Sequence, residues 1–476
     1  MATDGLLAVD VGTSGTKAAV IDLDGALLGF AQRAYPIIEG PTAGWVEQDA
    51  ALWWTSARDA MREAVAAAQG ARVVGVCIGG QGPSLVAIDR SGTPLANSII
   101  WMDRRTEGER RAITEKLGTE LSFYSNVPKA MWIRLNKPDV YSRAHLFLQS
   151  WDYIAYRLTG VGVASSFAGA TVFPPDAVAA AGCDPAKFPP ELVMGHPVGG
   201  VRADVAKDIG IEPGVVVAGG VNDSTATVVG AGLVRKGLAL DMGGTSGGIS
   251  LAWDRPLREN GLTAWPAPEP GLFVCGGSFA TSGRTLPWLM SVTGYAPDAY
   301  AEVEADAARI PPGADGVVFL PYLAGERTPL WDERASGVFF GLADRHTRAH
   351  LARAVFEAVA YQLRHVVDAM REAGATMDEL RITGGQARVK LWHRIKADAL
   401  SVPVVVPKVA EGALLGEAML AAQASGRMSD PATAAARFMK GAARYEPDPA
   451  TAPAYDRAYH TYRELYPRLR ELMHSS

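Results

Sequence analysis

Near the start of the chain, Asp10-Val11-Gly12-Thr13-Ser14-Gly15-Thr16-Lys17 stands between two short apolar runs. Glycines let a backbone approach a ligand closely, the Thr and Ser hydroxyls can donate hydrogen bonds, and Lys17 adds a positive charge. A carboxylate at a strand end can hold Mg2+, directly or through water. These residue types suit the binding of a phosphate chain, although an ordinary hairpin turn with solvated polar residues has the same local pattern. A second turn, Gly243-Gly244-Thr245-Ser246-Gly247, repeats the device in the other half of the chain. It favours the phosphate reading, because two facing loops can grip one phosphate chain. A third element, Gly219-Gly220-Val221-Asn222-Asp223-Ser224, follows the apolar run 215–218. A carboxylate after a strand and a glycine turn can take a proton from a substrate hydroxyl. Asp223 can equally cap the helix expected after it, and the two roles are compatible.

Other chemistries lose on context. The chain has neither GxxxxGK[ST] nor a GxGxxG after a strand, so the common nucleotide motifs are missing. Gly244-Thr245-Ser246-Gly247-Gly248 fits the GxSxG of a hydrolase nucleophile elbow. That motif needs a strand, a sharp turn and then a helix, whereas residues 249–252 read as a strand. His346 and His350 are four apart without the HExxH pattern, and a solvated helix start accounts for them better.

The elements that must position these residues follow from hydrophobic periodicity. The runs 6–9, 17–21 and 26–28, separated by Gly/Asp turns, read as an antiparallel strand set. Residues 49–69 read as a helix with Asp49 as cap and Trp53, Ala57, Met61 and Val65 along one face. A buried strand is expected at 73–78. In the second half, strands are expected at 238–242, 247–252, 379–383 and 402–406. A long helix is expected at 348–372, with Leu351, Val355, Val359, Leu363 and Val367 in one row, and a further helix at 388–400. Strands alternating with helices in both halves make the chain α/β. The repeated Gly/Thr/Ser turn reads as a weak internal repeat, as expected of two related lobes, with the boundary placed at 1–234 and 235–476.

Composition bounds the function. At roughly 100–200 residues per domain, 476 residues imply two or three domains. A net charge of −5 argues against a nucleic-acid binder that relies on overall basicity. Three scattered cysteines, Cys77, Cys183 and Cys275, without a CxxC, point to buried reduced thiols. The run 215–234 is interrupted by Asn222 and Asp223, which a bilayer core would penalise. A soluble cytoplasmic protein is expected, with no membrane or nucleic-acid partner. The eleven tryptophans are expected in the core, except Trp101.

Taken in order, several segments resemble the FGGY carbohydrate kinases, most of all the xylulokinase branch. They are Asp10-Val11-Gly12-Thr13-Ser14, Gly44-Trp45-Val46-Glu47-Gln48-Asp49 before Trp53-Trp54, Trp101-Met102-Asp103-Arg104-Arg105, Pro128-Lys129-Ala130-Met131-Trp132, and Asp152-Tyr153 through Leu158-Thr159-Gly160. In the second half come residues 241–247, the run 321–329, Gly384-Gly385-Gln386, Trp392, Ala397-Asp398 and residues 411–416. The resemblance implies two ribonuclease-H-like (actin-like ATPase) domains, each a mixed sheet flanked by helices, with a cleft between them that closes over ATP and sugar. It implies that Asp223 is the catalytic base and that Asp10 helps place Mg2+, directly or through water. It also implies phosphate contacts at Gly12, Thr13, Ser14, Lys17, Gly244 and Thr245, an adenosine-side turn at Gly384, Gly385 and Gln386, and a sugar pocket lined by Gln81, Trp101 and Asp103. A homodimer is a family-level expectation.

Departures from the family pattern concern the substrate. The first sugar loop reads Gln81-Gly82-Pro83-Ser84 where xylulokinases usually carry Gln-Met-His-Gly and glycerol kinases Arg-Glu. The stretch 164–170 is reduced relative to the family's Thr-Asp-x-Ser-Asn-Ala-Ser, and Ser224 follows the base where Asn or Gln is common. Hydrogen bonds to sugar hydroxyls set discrimination. The expected activity is therefore ATP-dependent phosphorylation of a pentulose such as D-xylulose. Ribulose, erythritol and glycerol are the alternatives in the same class. An actin-like ATP-binding protein that closes on a partner, or a sugar sensor without catalysis, is the alternative outside it.

Overall fold

The computed structural model describes residues 3–122, 124–167 and 169–475, so Ala168 of the reduced stretch lies outside the described residues. The chain forms two compact units, Met1–Gly232 with Gly412–Lys440, and Leu233–Glu411 with Gly441–Ser476.

The first unit is built on a six-stranded sheet. Asp4–Val11, Gly15–Asp22 and Leu27–Ala34 form the expected antiparallel set, and Arg72–Gly80 and Val216–Ala218 continue it in parallel on the other side of the first strand. Pro197–Gly200 closes that edge. Helix Ala50–Ala67 starts where the sequence places it, with the Asp49 carboxylate accepting from the Ala51 N–H, and buries Trp53, Ala57 and Met61. The core on this side joins those side chains to Leu7, Val9, Val20, Val76, Ile78 and Ile154.

The second unit carries a seven-stranded sheet with the same central order. Leu238–Asp241 pairs antiparallel with Gly247–Trp253, which pairs with Phe273–Phe279, while Glu379–Ile382 and Val404–Val406 run parallel on the other flank. In both sheets a Gly/Thr/Ser turn joins the first strand to the second, so the two repeated turns occupy equivalent positions. Helix Arg348–Glu372 packs its apolar row, including Val355, Val359, Leu363 and Val367, into this unit's cores. His350 has a local task, because its Nδ1 accepts from the Thr347 N–H and closes a capping box. His346 Nδ1 likewise accepts from the Ala343 N–H.

The division of the chain differs from the expected boundary in one respect. Residues 412–440 fold with the first unit rather than the second. Helix Gly412–Ala424 is mostly small and apolar, Glu417 and Gln423 apart, and lies against helix Asp223–Gly230. A Cβ on Gly230 would collide with the Gly412 carbonyl, and one on Gly416 with the Ala226 carbonyl. Close helix approach thus fixes the return, and no local pattern announces it.

The three cysteines are buried and free. Among the described residues no helix is long and apolar enough to cross a membrane.

Candidate active site

In the first unit the sheet register assembles the site. Asp10 is the residue before the last of its strand and pairs with Lys17 on one side and Gly79 on the other. Residues in register on neighbouring strands project to the same face. Lys17 therefore stands beside Asp10. The turn between their strands is held by backbone and side chain alike. The Gly12 N–H donates to the Gly15 carbonyl, the Tyr35 hydroxyl donates to the Gly12 carbonyl at 2.6 Å, and the Gln48 amide donates to the Thr13 carbonyl at 2.7 Å.

Asp223 is the first residue of helix Asp223–Gly230, and it does not act as the cap. Asn222 does, its side-chain oxygen accepting from the Thr225 N–H at 2.8 Å, while Asp223 Oδ1 accepts only from the Ser224 N–H at 2.6 Å. Asn222 is a better cap because it sits one residue earlier, in extended conformation, and can reach the third amide. Asp223 is thereby released from capping, and its second oxygen has no hydrogen bond among the described residues. A bridge between Gly80 and Asn222 ties this helix start to the end of the strand next to Asp10.

The carboxyls feel one another. Burial, then the facing Asp223, pushes Asp10 up to about 7, against the pull of Lys17. Burial pushes Asp223 up to about 6, with the Ser224 N–H opposing. Asp10 Oδ1 is buried and has no hydrogen-bond partner among the described residues. An orphaned carboxylate oxygen beside a lysine fits a hard divalent cation such as Mg2+, held through water.

A third acid belongs here that sequence reasoning missed. Glu417, on helix Gly412–Ala424, is fully buried, and no side chain among the described residues pairs with its oxygens, which face the Gly79 backbone. Burial, with Asp10 and Asp223 facing it, raises its pKa well above the usual carboxylate range. Its signal in the sequence is that it is the lone charge in a mostly apolar helix.

The expected sugar-side residues are placed on connected loops of the same unit. Gln81 is buried. Its amide donates to Gln48 Oε1, which also takes the Trp53 indole N–H, and Gln81 Oε1 has no hydrogen-bond partner among the described residues. The Ser84 hydroxyl is buried in the same condition. Trp101 is 40% exposed, as expected, and its indole N–H donates to Thr13 Oγ1 at 2.9 Å. Asp103 is more occupied than expected. Its oxygens accept from the Val46 N–H and from Arg105, whose guanidinium is also held by Glu47 and lies over Trp45 and Trp132. Its carboxylate fixes the loop that carries Trp101.

The second unit brings its two glycine turns together. The Asp241 carboxylate accepts from the Gly243 N–H and pairs with Lys396, which also donates to Gln386 Oε1. The Gln386 N–H reaches the Gly243 carbonyl, and its side-chain amide donates to Ser282 Oγ. Gly384 takes a positive φ of 74°, and a Cβ there would strike the Met242 carbonyl. The Gly244 and Thr245 carbonyls accept from Gly283 and from Ser282 and Arg284. The turns at Gly244-Thr245 and Gly384-Gly385 are thus joined through the buried Gln386 and a buried charge pair.

The N-terminal domain of the FGGY family of carbohydrate kinases matches residues 6–230, and the C-terminal domain matches residues 242–425. The chain is 29% identical to Xylulose kinase of Staphylococcus epidermidis over 489 residues, covering 99% of this chain and 98% of that protein. Glycerol kinase of Janthinobacterium sp. is 31% identical over 455 residues, covering 87% of this chain and 89% of that protein. The crystal structure of xylulose kinase from Rhodospirillum rubrum superposes with a TM-score of 0.78 at 31% identity, covering 99% of this chain and 100% of that one. With two units built on matching mixed sheets, the chain belongs to the FGGY family of carbohydrate kinases and is a carbohydrate kinase of actin-like ATPase fold.

Proposed function

We propose that this kinase transfers the γ-phosphoryl group of ATP to a hydroxyl of a pentulose, D-xylulose first, with Asp223 as general base. The carrying observation is that Asp223 stands at a helix start, relieved of capping by Asn222, with one carboxylate oxygen that makes no hydrogen bond among the described residues. In the reaction the acceptor oxygen gives its proton to Asp223 and bonds to the γ-phosphorus, the bond to the bridging oxygen breaks, and ADP leaves. Positioning and charge neutralisation carry most of such a reaction. Lys17 and the turn at residues 12–14 suit the phosphates. Asp10 would hold Mg2+, which neutralises phosphate charge when bound. Gly244, Thr245 and the turn at residues 384–386 suit the nucleotide. The first unit is then the sugar side and the second the nucleotide side.

The pentulose reading is supported by the full-length relatives named xylulose kinase. Gln81 Oε1 and Ser84 Oγ, both buried and unpaired among the described residues, could accept hydrogen bonds from sugar hydroxyls. A polyol such as glycerol is the second reading, supported by the relative named glycerol kinase. A coupled ADP-release assay across pentuloses, hexuloses, tetritols, pentitols and glycerol tests both. D-xylulose is expected to give the highest kcat/KM, and no ADP release above background with any of them would sink the proposal.

A further inference from the structure

We propose that Glu417 is a second carboxylate for the divalent cation, acting beside Asp10 through bound water; the inference rests on the kinase reading only for the cation's purpose. Helix Gly412–Ala424 crosses the face of strand Arg72–Gly80 where two glycines leave room. A Cβ on Gly75 would meet the Ala421 carbonyl, and one on Gly79 would meet the Glu417 carboxyl. Gly79 is the register partner of Asp10, and Asp10 is the register partner of Lys17. The Glu417 carboxyl therefore takes the place that a side chain at Gly79 would fill, on the face of the sheet that carries Asp10 and Lys17. The order across three strands is Lys17, Asp10, then Glu417 over Gly79.

No side chain among the described residues pairs with either Glu417 oxygen, the Gly79 backbone being the sole polar neighbour given for the carboxyl, and Asp10 Oδ1 has no hydrogen-bond partner among them. No Lys or Arg pairs with Glu417 among the described residues. Leaving a buried acceptor unmade is costly, more so when it is charged. Two adjacent carboxyls with unspent oxygens share an obvious remedy, a hydrated cation between them. The chemistry of the set selects the cation: the proposed ligands are carboxylates, and among the described residues no His and Cys cluster joins them to favour a softer metal. Among the described residues no three such groups converge closely enough to hold an ion directly. Mg2+, which keeps much of its water, fits that spacing.

The test uses the full chain with Mn2+ as spectroscopic probe, without nucleotide or sugar, and free Mn2+ counted by electron paramagnetic resonance. Glu417→Gln keeps volume and hydrogen-bonding capacity and removes only the negative charge. It is expected to weaken Mn2+ binding by about tenfold or more, the scale seen when groups supporting a metal site are removed. It should also raise the melting temperature of the metal-free protein and shrink the increase that Mn2+ produces. Gly79→Ala, which pushes the carboxyl aside without changing any charge, is expected to weaken Mn2+ binding in the same direction and covers the case in which Glu417→Gln fails to fold. Mn2+ affinity within twofold of wild type in either folded variant would overturn the proposal and leave Glu417 a neutral buried acid. A wild type that turns over no polyol, yet loses Mn2+ on Glu417→Gln, would instead refute the kinase reading and leave this one standing.

Discussion

Lys396 Nζ lies 2.5 Å from Asp241 Oδ2, and both side chains are withdrawn from solvent beneath the turn at residues 243–246. The pair is not isolated. Asp241 holds the Gly243 N–H with its other oxygen, and Lys396 holds Gln386, so one buried charge pair ties the turn at residues 243–246 to the turn at residues 384–386.

Lys396→Met leaves Asp241 buried without its counter-charge. Breaking one side of a buried pair costs about 3–5 kcal/mol. Urea unfolding is expected to show a loss of that size, and Lys396→Met/Asp241→Asn a smaller one. If the variant folds, its KM for ATP should rise while KM for the sugar stays near wild type. A uniform loss of both would make the pair a stabiliser only.

Asp223→Asn removes the proposed base with little change in volume. A positioned general base contributes about 10²–10⁴-fold, so kcat is expected to fall by that factor. ATP binding, followed by calorimetry, should be retained. Undiminished turnover would remove Asp223 from the mechanism.

The pH dependences of activity and stability should run in opposite directions. Asp223 titrates at about 6 in the folded chain, against an ordinary 3.8, so between those values the native state binds more protons than the unfolded one. Unfolding free energy then falls as pH rises through that window. Turnover needs the ionised base and should rise across pH 6. Asp223→Asn should therefore gain stability relative to wild type as pH rises from about 4 to about 6 in thermal melts, with little further gain above that. A difference independent of pH would contradict the raised value.

Gln81→Ala removes a buried amide whose oxygen is free for a substrate. KM for the sugar should rise by about tenfold or more, the scale of a lost hydrogen bond to a buried group, with KM for ATP little changed. Equal KM values for the sugar would place the hydroxyl contacts elsewhere.

Much of the architecture was legible from local pattern. The antiparallel set, the helix capped by Asp49 and the row from Val355 to Val367 follow from period and turn residues that neighbours along the chain already display. The repeated Gly/Thr/Ser turn pointed to two related halves, and both sheets share one central strand order. Local pattern leaves the helix cap undecided. Asn222 and Asp223 are both good caps, and only the backbone conformation at Asn222 decides between them.

By itself, then, the sequence determined which segments become strands and helices and which residue types stand at the turns, because these depend on residues a few positions apart. Only the tertiary structure decided that residues 412–440 return to the first unit, that Glu417 comes to lie beside Asp10, and that Lys396 backs Asp241. These relations depend on register between strands and on how closely glycines let a helix approach, and they join residues as much as 155 positions apart or more.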